Sequence, residues 1–547
     1  MHSPLMPPLA HLSHLSLEKQ VAQMVVVRAS GHLFDHQICH PNWEPPAHIL
    51  ERWVQHLGVG GVILLGGSAA EIGLKTQQLQ SWASVPLLMA ADIEEGVGQR
   101  FAGAIALPPP MAIAQIAQKD MERACHYATQ MGAATAQEAL AVGLNWVLAP
   151  VVDVNNNPAN PVINVRAFGD DPNTVAALAT AFIKGARQFP VLTAAKHFPG
   201  HGDTSIDSHL ELPVIPHDRQ RLEEVEIPPF RAAIAAGVDA VMSAHLLIPS
   251  LDSQLPATLS PQVLETLLRQ DLGFDGLVVT DALVMGAIAN HYGKNEAAVM
   301  AVEAGADILL MPLDPEGAIA AVVAAVKSGR IAPERIQASV DRIHWAKKRI
   351  CGNLLGDAHS GQESSHAWEN VAPPPIQLQQ LAQPETMAIA QNILQESMIC
   401  SGNMPIARVN AGQNIILLDD SLNSDFLGHH TPAIAHPKIS GYHMLHIIDS
   451  FTPQPFSATP PDSITPTLLQ IFVRGNPFRG RAGLSSSLSR WLESLLHSSN
   501  LQALVIYGSP YMLDHLRPQL RASLPVIFTY GQMPSAQRLV QQHLLGS

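Results

Sequence analysis

The chain has 547 residues, of which 47% are apolar and 14% are charged, and its formal net charge is −14. The length is too great for one ordinary core, and the composition is typical of a globular protein rather than a disordered one. The negative charge and the lack of any Lys- or Arg-rich block argue against a nucleic-acid partner.

Four cysteines lie far apart in the chain: Cys39, Cys125, Cys351 and Cys400. They form no CxxC motif, so neither a disulfide framework nor a thiolate zinc site is expected, and a reducing compartment suits them. The N-terminal segment lacks a basic region followed by an apolar run, and no window holds about 18 consecutive apolar residues. We therefore expect a soluble, cytoplasmic protein without a membrane span.

Residues 1–351 alternate between short apolar runs and longer, alanine-rich stretches with helical spacing. The runs cover residues 21–29, 61–67, 86–92, 145–153, 191–197, 239–245, 276–281 and 306–312. Alternating buried strands and amphipathic helices are typical of a parallel sheet, and eight such units over about 300 residues favour a closed (β/α)8 TIM-type barrel. An open, doubly wound sheet is the alternative that the same periodicity allows.

Residues 352–376 interrupt this rhythm with Gly, Ser, His and three consecutive prolines, which predicts a linker. Further strand-like runs follow at residues 414–420, 468–475, 502–508 and 525–531. We therefore predict a second, smaller α/β sandwich domain over residues 377–547. No catalytic cluster is visible in this region, and GNPFRG (475–480) is first of all turn chemistry.

Ionisable residues stand at the ends of several apolar runs of the first domain. They are Asp92, Asp153, Lys196 with His197, His245 and Asp281. The carboxyl ends of barrel strands share one face, where the active sites of this fold lie. Unpaired buried charge is costly, so a purely structural core would not place so many charged groups there. The sequence therefore predicts a functional site at this mouth of the barrel.

The stretch KHFPGHGDTSIDSH (196–209) is rich in His, Asp and Gly. Its side chains could ligate zinc, but it holds no HExxH pair, and its glycines and proline give no fixed ligand geometry. The chain also lacks a GxSxG elbow and a phosphate-binding glycine motif, so serine hydrolase and phosphate-cradling chemistry are not expected. We expect neither a metal nor an organic cofactor.

Glycoside hydrolysis needs a group that protonates the leaving oxygen and a carboxylate at the anomeric carbon. Asp281, at a rigid strand end, suits the second role, although an aspartate there also suits a helix N-cap. An extended backbone would place Asp207 and His209 on one side, where the carboxylate fixes the tautomer of the imidazole. Such a histidine can give and take a proton, but a solvated loop histidine is the plainer interpretation.

Several segments resemble glycoside hydrolase family 3 and, within it, the NagZ-type β-N-acetylglucosaminidases. They are the 196–209 stretch with LELP after it, DIEEGVGQRF (92–101), NPVINVRAFGDDP (160–172) and VVTDALVMGAI (278–288). LSLEKQVAQMVVV (15–27) and the segments AHLLIPSLD (244–252) and LPATLSP (255–261) are similar as well. The resemblance extends in order over residues 15–350, and the motifs of the second domain are weaker.

The resemblance implies an exo-acting, retaining β-N-acetylhexosaminidase that releases terminal N-acetylglucosamine from peptidoglycan fragments. Asp281 would be the nucleophile, and His209, oriented by Asp207, would be the acid/base on a mobile loop. Asp92, Arg100, Arg166, Lys196 and His197 would bind the hydroxyls of the terminal sugar. An ion pair across the barrel mouth is a second role that Arg166 and Lys196 could have.

A phosphorylase or a β-glucosidase of the same family is an alternative function, and a non-catalytic sugar-binding protein is an alternative from another class. The partner that we expect is a small carbohydrate, and the chain is expected to be a monomer.

One segment departs from the family pattern. DIEEG (92–96) stands where the family usually has DQEGG. Ile93 removes an amide, and Glu95 replaces a glycine that could need a positive φ. The spacing from Asp92 to Arg100 is kept. The resemblance therefore does not determine the local turn or the fine sugar specificity.

Overall fold

The computed structural model describes residues 11–351, 375–422, 424–453, 465–475, 480–496 and 498–546. Apart from its last two residues, the predicted linker 352–376 lies outside the described residues. Two sheets organise the described chain: an eight-stranded sheet from its N-terminal part and a six-stranded sheet from its C-terminal part.

The first sheet is parallel and closed. Its strands are β1 (Val25–Ser30), β2 (Gly61–Leu65), β3 (Leu88–Ala91), β4 (Trp146–Val147), β5 (Leu192–Phe198), β6 (Ala240–Ser243), β7 (Leu277–Thr280) and β8 (Leu309–Leu310). Neighbours in the chain pair in parallel, β1 pairs with β8, and a bridge from Val279 to Ile308 joins the last two strands. The predicted (β/α)8 barrel is confirmed, and each predicted apolar run overlaps one strand.

Helices surround this sheet. They are α1 (Leu17–Gln23), α2 (Ala47–Arg52), α3 (Ala69–Trp82), α4 (Pro110–Ala117), α5 (Met121–Ala141), α6 (Pro172–Ala186), α7 (Arg219–Glu224), α8 (Ile227–Ala235), α9 (Gly286–Ala289), α10 (Glu296–Ala304), α11 (Pro315–Lys327) and α12 (Pro333–Cys351). Two π-helical segments, Trp53–Leu57 and Gln262–Asp271, complete the ring. In the described ranges, no helix combines the length and the apolar character needed to cross a bilayer.

Local sequence signals explain how these helices begin and pack. Ser68 and Glu71 form a capping box at the start of α3, and the Asp171 side chain caps α6. Small residues let α5 and α6 approach closely: a Cβ atom on Gly132 would lie 2.1 Å from the carbonyl oxygen of Phe182. The alanine-rich composition of these stretches therefore serves tight helix packing as well as helix propensity.

The second sheet has the strands β9 (Ile399–Ser401), β10 (Gln413–Leu418), β11 (Met444–Ile448), β12 (Thr467–Val473), β13 (Leu501–Gly508) and β14 (Val526–Thr529). Their order is β11-β10-β12-β13-β14-β9, parallel except for β9. The helices that accompany it are α13 (Pro384–Ser397), α14 (Pro432–Ile439), α15 (Ser486–Leu496), α16 (Pro510–Leu516) and α17 (Pro534–Leu545). The four predicted runs overlap β10, β12, β13 and β14. The edge strands β9 and β11 are partly exposed and were not predicted.

A buried carboxylate fastens the amino-terminal end of the barrel. Asp307 lies just before β8 and is fully buried. Its oxygens accept hydrogen bonds from the Val278 amide, the Ser339 hydroxyl and the guanidinium groups of Arg269 and Arg342. One side chain thus links β7, the π-helical segment before it and the long helix α12.

We predict that Asp307→Ala destabilises the fold strongly, by about 3–5 kcal/mol, because buried guanidinium groups lose their counter-charge. Urea unfolding followed by circular dichroism measures this loss. Asp341→Ala is the matched control, since Asp341 faces His11 at the surface and its loss should cost less than about 0.5 kcal/mol. Equal effects of the two substitutions would contradict the prediction.

Candidate active site

The residues singled out at strand ends lie at one mouth of the barrel. Asp92, His245 and Asp281 directly follow or closely follow β3, β6 and β7, respectively. Asp153 lies on the segment after β4, and Lys196 and His197 lie near the end of β5. The carboxyl ends of these parallel strands share a face, so residues almost 200 positions apart in the sequence become neighbours. The bridge between Val151 and Lys196 brings the segment of Asp153 against β5.

A cluster of opposite charges fills one side of the mouth. The Lys196 ammonium lies 2.8 Å from Oδ1 of Asp92 and 2.6 Å from Oε1 of Glu94. Arg166 donates two hydrogen bonds to Glu94, from Nε at 2.8 Å and from Nη2 at 2.7 Å. Only 1% of the Lys196 side chain and 2% of the Glu94 side chain are exposed. We call these four residues the charged cluster.

The cations of the charged cluster keep its buried carboxylates ionised. Burial by itself would raise the pKa of Glu94, but Arg166 and Lys196 hold that pKa well below its ordinary value. Burial likewise acts to raise the pKa of Asp92, and Lys196 with Arg100 lowers it overall. The ion pair weighed for Arg166 and Lys196 is therefore present. Asp92 remains partly exposed and can still accept hydrogen bonds from a ligand.

Arg100 lies beside this cluster at the surface. Its Nε donates to the backbone carbonyl of Asp92 at 3.0 Å. This bond ties the two ends of the segment between Asp92 and Arg100, whose spacing matches the family pattern. The predicted sugar-binding residues Asp92, Arg100, Arg166 and Lys196 thus form one continuous group.

Asp153 shapes the end of β5. Its Oδ2 accepts from Nδ1 of His197 at 2.8 Å, and its Oδ1 accepts from the amides of His197 at 3.1 Å and His201 at 2.7 Å. The strand register shifts between Lys196 and Phe198, which re-aims the side chains at this point. Asp153 therefore holds the imidazole of His197 toward the mouth.

Asp281 directly follows β7 and lies near His197 at the end of β5. Its Oδ1 accepts a hydrogen bond from the Ala282 amide at 2.8 Å. Helix α9 begins only at Gly286, with Met285 as its N-cap, so Asp281 is not the helix cap that its sequence context also suggested. The residue as a whole is half-buried.

Histidines surround the Asp281 carboxylate. Removal from water would raise the pKa of Asp281, but His197, His245 and His209 lower this pKa to about 2. The His245 ring is itself held in place, with Nδ1 2.9 Å from the Thr258 hydroxyl and Nε2 3.0 Å from the Ala282 carbonyl. Asp281 is therefore an anion at neutral pH. Among the residues that the structure describes, no lysine or arginine forms an ion pair with it.

Asp207 and His209 form a hydrogen-bonded pair near Asp281. Nδ1 of His209 lies 2.9 Å from Oδ1 of Asp207. The same oxygen accepts from the His209 amide at 3.0 Å, and the Leu210 amide donates to the Asp207 carbonyl. The backbone is thus a tight turn, so the expected extended conformation was wrong, although the side chains meet as that conformation would allow.

Hydrogen bonds of buried side chains hold the loop that carries Asp207 and His209. The buried His201 ring lies 2.9 Å from the Ser208 hydroxyl and 3.0 Å from the Thr204 hydroxyl. Burial lowers the pKa of His201 to about 4, so this ring is neutral and acts in hydrogen bonding. Asp203 accepts from Nε2 of His217 at 2.8 Å. These contacts position the turn from its two sides.

The histidines of the 196–209 stretch therefore each have a different protein partner. In the part of the chain that the structure describes, no group of three or more His, Cys, Asp or Glu side chains could hold a metal ion.

Two acidic residues of the mouth were not assigned from the sequence. Glu94 is the centre of the charged cluster, and an acidic residue two positions after Asp92 was the signal that could have identified it. Glu95 is buried and pairs with Arg474 of the second domain. Among the described residues, positive φ outside glycine occurs only at Asn164, Met311 and Ala382, so Glu95 does not adopt the conformation that its glycine counterpart could have required.

The second domain also reaches the mouth. Arg474 directly follows β12, and the Gly480 amide donates to Oδ2 of Asp207 at 3.4 Å. The sequence showed no catalytic cluster there, and GNPFRG was interpreted as a turn. Residues 476–479 of that motif lie outside the described residues. A charged residue near the end of the predicted apolar run 468–475 was the available signal for Arg474.

Comparison with known proteins identifies the family. Residues 16–346 match the family model described as "Glycosyl hydrolase family 3 N terminal domain". Residues 406–546 match "Bacterial Glycosyl hydrolase family 3 C-terminal domain". The chain belongs to glycoside hydrolase family 3.

A curated relative and a solved structure are each similar to this chain at 30% identity or more. A curated protein named "Beta-hexosaminidase A" from Pseudoalteromonas piscicida is 35% identical over 332 residues, which is 55% of this chain and 55% of that protein. The chain thus spans about half of that relative. A solved glycoside hydrolase family 3 β-N-acetylglucosaminidase from Paenibacillus sp. str. FPU-7 is 30% identical with a TM-score of 0.76, over 97% of each chain.

A further solved structure, titled "Beta-glucoside phosphorylase BglX", has a TM-score of 0.77 over 98% of this chain and 92% of that chain. Its identity is 22%, so it shows a shared fold alone.

We predict that Glu94→Gln lowers the free energy of unfolding at pH 7 by about 3 kcal/mol, since two buried cations lose a charged partner. The folded-state pKa of Glu94 is depressed, so this contribution is complete above the ordinary value of 4.5 and is lost as the pH falls below it. The stability gap between wild type and variant should therefore shrink as the pH falls below 4.5. Urea unfolding at several pH values measures the gap.

Glu316→Gln is the control for this comparison. Glu316 pairs with Arg52 at the surface, where both side chains are about half exposed, and its loss should change stability by less than about 0.5 kcal/mol. A gap for Glu94→Gln that widens on acidification would contradict the depressed pKa.

Proposed function

We propose that the protein is an exo-acting, retaining β-N-acetylhexosaminidase that releases terminal N-acetylglucosamine. The observation that carries this proposal is the arrangement of Asp281. An ionised aspartate at the end of a barrel strand lies close enough to His209 for that imidazole to lower its pKa. The His209–Asp207 pair and the charged cluster border the same mouth. These are a nucleophile, a proton donor and a polyol-binding surface.

In the first step an oxygen of Asp281 attacks the anomeric carbon of the terminal sugar. The bond from that carbon to the leaving oxygen breaks, and His209 transfers a proton to this oxygen. Nδ1 of His209 faces the Asp207 carboxylate, so Nε2 is the atom that exchanges the proton. Asp207 stabilises the protonated ring and fixes its orientation. The products are the free aglycone and a glycosyl ester of Asp281.

In the second step the roles reverse. His209, now neutral, accepts a proton from water, and the water oxygen attacks the anomeric carbon. The ester bond breaks and its electron pair returns to Asp281 as carboxylate. Two inversions at the same carbon give net retention. The low pKa of Asp281 makes its carboxylate a competent leaving group in this step.

The charged cluster and His197 are proposed to bind the sugar. Asp92 and the exposed edge of Arg166 offer acceptors and donors that match adjacent hydroxyls. The relatives named β-hexosaminidase and β-N-acetylglucosaminidase support N-acetylglucosamine as the sugar. Peptidoglycan fragments are the proposed natural source. A cytoplasmic reaction suits the four free cysteines, two of which are exposed.

The test is hydrolysis of an aryl N-acetylglucosaminide beside the matching aryl glucoside, each in phosphate and in a non-nucleophilic buffer. We expect the N-acetylglucosaminide to be preferred and free sugar to form in both buffers. Asp281→Ala should lower kcat by about 10⁴-fold or more, because the covalent step is lost. Asp275→Ala is the control, since this exposed aspartate precedes the same strand at the opposite end of the barrel.

Other outcomes of this assay identify the alternatives. A sugar 1-phosphate formed only in phosphate would identify a phosphorylase, and faster release from the glucoside would identify a β-glucosidase. Binding without turnover would indicate a sugar-binding protein. Activity of Asp281→Ala equal to that of Asp275→Ala would remove Asp281 from the mechanism.

The role of His209 makes a separate prediction. His209→Ala should lower kcat/KM for a phenyl N-acetylglucosaminide by about 10²- to 10⁴-fold, because phenol needs protonation to leave. For a dinitrophenyl N-acetylglucosaminide the loss should be much smaller, since that leaving group is stable as an anion. A pre-steady-state burst should appear with the second substrate, because water activation is then slow.

His217→Ala is the matched control, because His217 also pairs with an aspartate but is held by Asp203 beside the loop. It should affect both leaving groups equally and slightly. Equal losses for the two substrates in His209→Ala would argue against a proton-transfer role.

A further inference from the structure

The second domain presents one strand end to the mouth of the barrel. In its sheet, β12 lies beside β10, and the chain leaves β10 toward one edge before it crosses to β12 on the other side. The carboxyl ends of strands at such a reversal point are where open α/β sheets place functional side chains. Arg474 is the first residue after β12. It extends away from its own sheet into the barrel mouth.

Arg474 forms a bidentate salt bridge with Glu95 through both terminal nitrogens. Nη1 donates to Oε2 of Glu95 at 3.1 Å, and Nη2 donates to Oε1. The Glu95 side chain is only 6% exposed and follows Glu94 directly in the chain. Two adjacent buried carboxylates repel each other unless both are compensated. Arg166 and Lys196 compensate Glu94, and Arg474 compensates Glu95.

Gly475, which follows Arg474, packs against the segment that carries Arg166 of the charged cluster. A Cβ atom on Gly475 would lie 2.8 Å from Cβ of Asn164 and 3.0 Å from the carbonyl oxygen of Pro161. Asn164 has a φ of 47° and begins the short 3₁₀ turn Asn164–Arg166. The end of β12 therefore contacts both the segment of Glu94 and the turn that carries Arg166.

A third contact from the same region reaches the proposed acid/base. The amide of Gly480 donates to the second oxygen of Asp207, the one that His209 does not use. The described residues that flank positions 476–479 thus touch the sugar-binding side and the proton-transfer side of the mouth.

We propose that Arg474 is a positioning residue of the candidate active site. Its pair with Glu95, together with the packing of Gly475 on the Asn164–Arg166 turn, holds Glu94 in register with Arg166 and Lys196. The sugar-binding cluster is complete only when the second domain is in place. This inference rests on the proposed glycosidase function, because its readout is sugar binding during turnover.

The test compares three full-length variants on an aryl N-acetylglucosaminide. Arg474→Ala should raise KM about tenfold, a size typical of coupling between contacting residues, while kcat changes less. Arg474→Lys should recover part of this loss, since lysine restores the charge but not the two-pronged geometry. Arg123→Ala is the matched control. Arg123 pairs with Glu396 between α5 and α13, on the outer face of the barrel, and its loss should leave KM unchanged.

Thermal unfolding of the same proteins separates positioning from simple attachment of the domains. A lower Tm with KM within twofold of wild type in Arg474→Ala would overturn the inference. If Arg474→Ala fails to fold, the double variant with Glu95→Ala leaves no unpaired buried charge and should fold, with KM still raised. An unchanged KM in that double variant also overturns the inference.

The wild-type assay distinguishes this failure from failure of the function. Release of the aryl group by wild type together with an unchanged KM in Arg474→Ala overturns the positioning role alone. A wild type that binds but does not turn over overturns the proposed function, and the positioning role with it.

Discussion

The pairing of buried charges holds the mouth of this barrel in one geometry. Lys196 is almost fully buried, and its ammonium is tolerated because Asp92 and Glu94 lie within hydrogen-bonding distance. Glu94 in turn requires Arg166. Each member is costly to bury alone and inexpensive to bury with the others. The two strand ends and the 3₁₀ turn that supply them therefore cannot shift independently, which is the rigidity that the proposed sugar-binding site needs.

The same principle separates the carboxylates of the mouth by role. Glu94 and Asp153 are occupied by cationic or backbone donors and serve to position other groups. Asp281 lies instead among the imidazoles of His197, His245 and His209, which lower its pKa. Asp281 therefore stays ionised, and among the described residues no lysine or arginine forms an ion pair with it, which suits a nucleophile better than a salt-bridged carboxylate would.

The barrel could be predicted from the sequence because its strands are buried on both faces and appear as separate apolar runs. The position of the site followed, since ionisable residues such as Asp92 and Asp281 end those runs. What could not be predicted depends on contacts distant in sequence. Spacing shows that Asp207 and His209 can meet, but the turn that joins them is set by backbone hydrogen bonds. The strand β11 lacks a buried, continuous apolar run and gave no signal.

The interface between the domains was the least predictable part, because its contacts join residues that are far apart in the sequence. A glutamate in place of glycine at position 95 suggests, in the sequence, a changed backbone turn. In the structure Glu95 does not have a positive φ, and the consequence is a buried charge that Arg474, from outside the barrel, neutralises. Arg474 is almost 380 positions away, so no local pattern connects the two. Because a buried carboxylate without its arginine would disturb Glu94 beside it, Glu95 and Arg474 act as one unit. The departure from the family pattern therefore changes how the second domain joins the site rather than the shape of the loop that carries it.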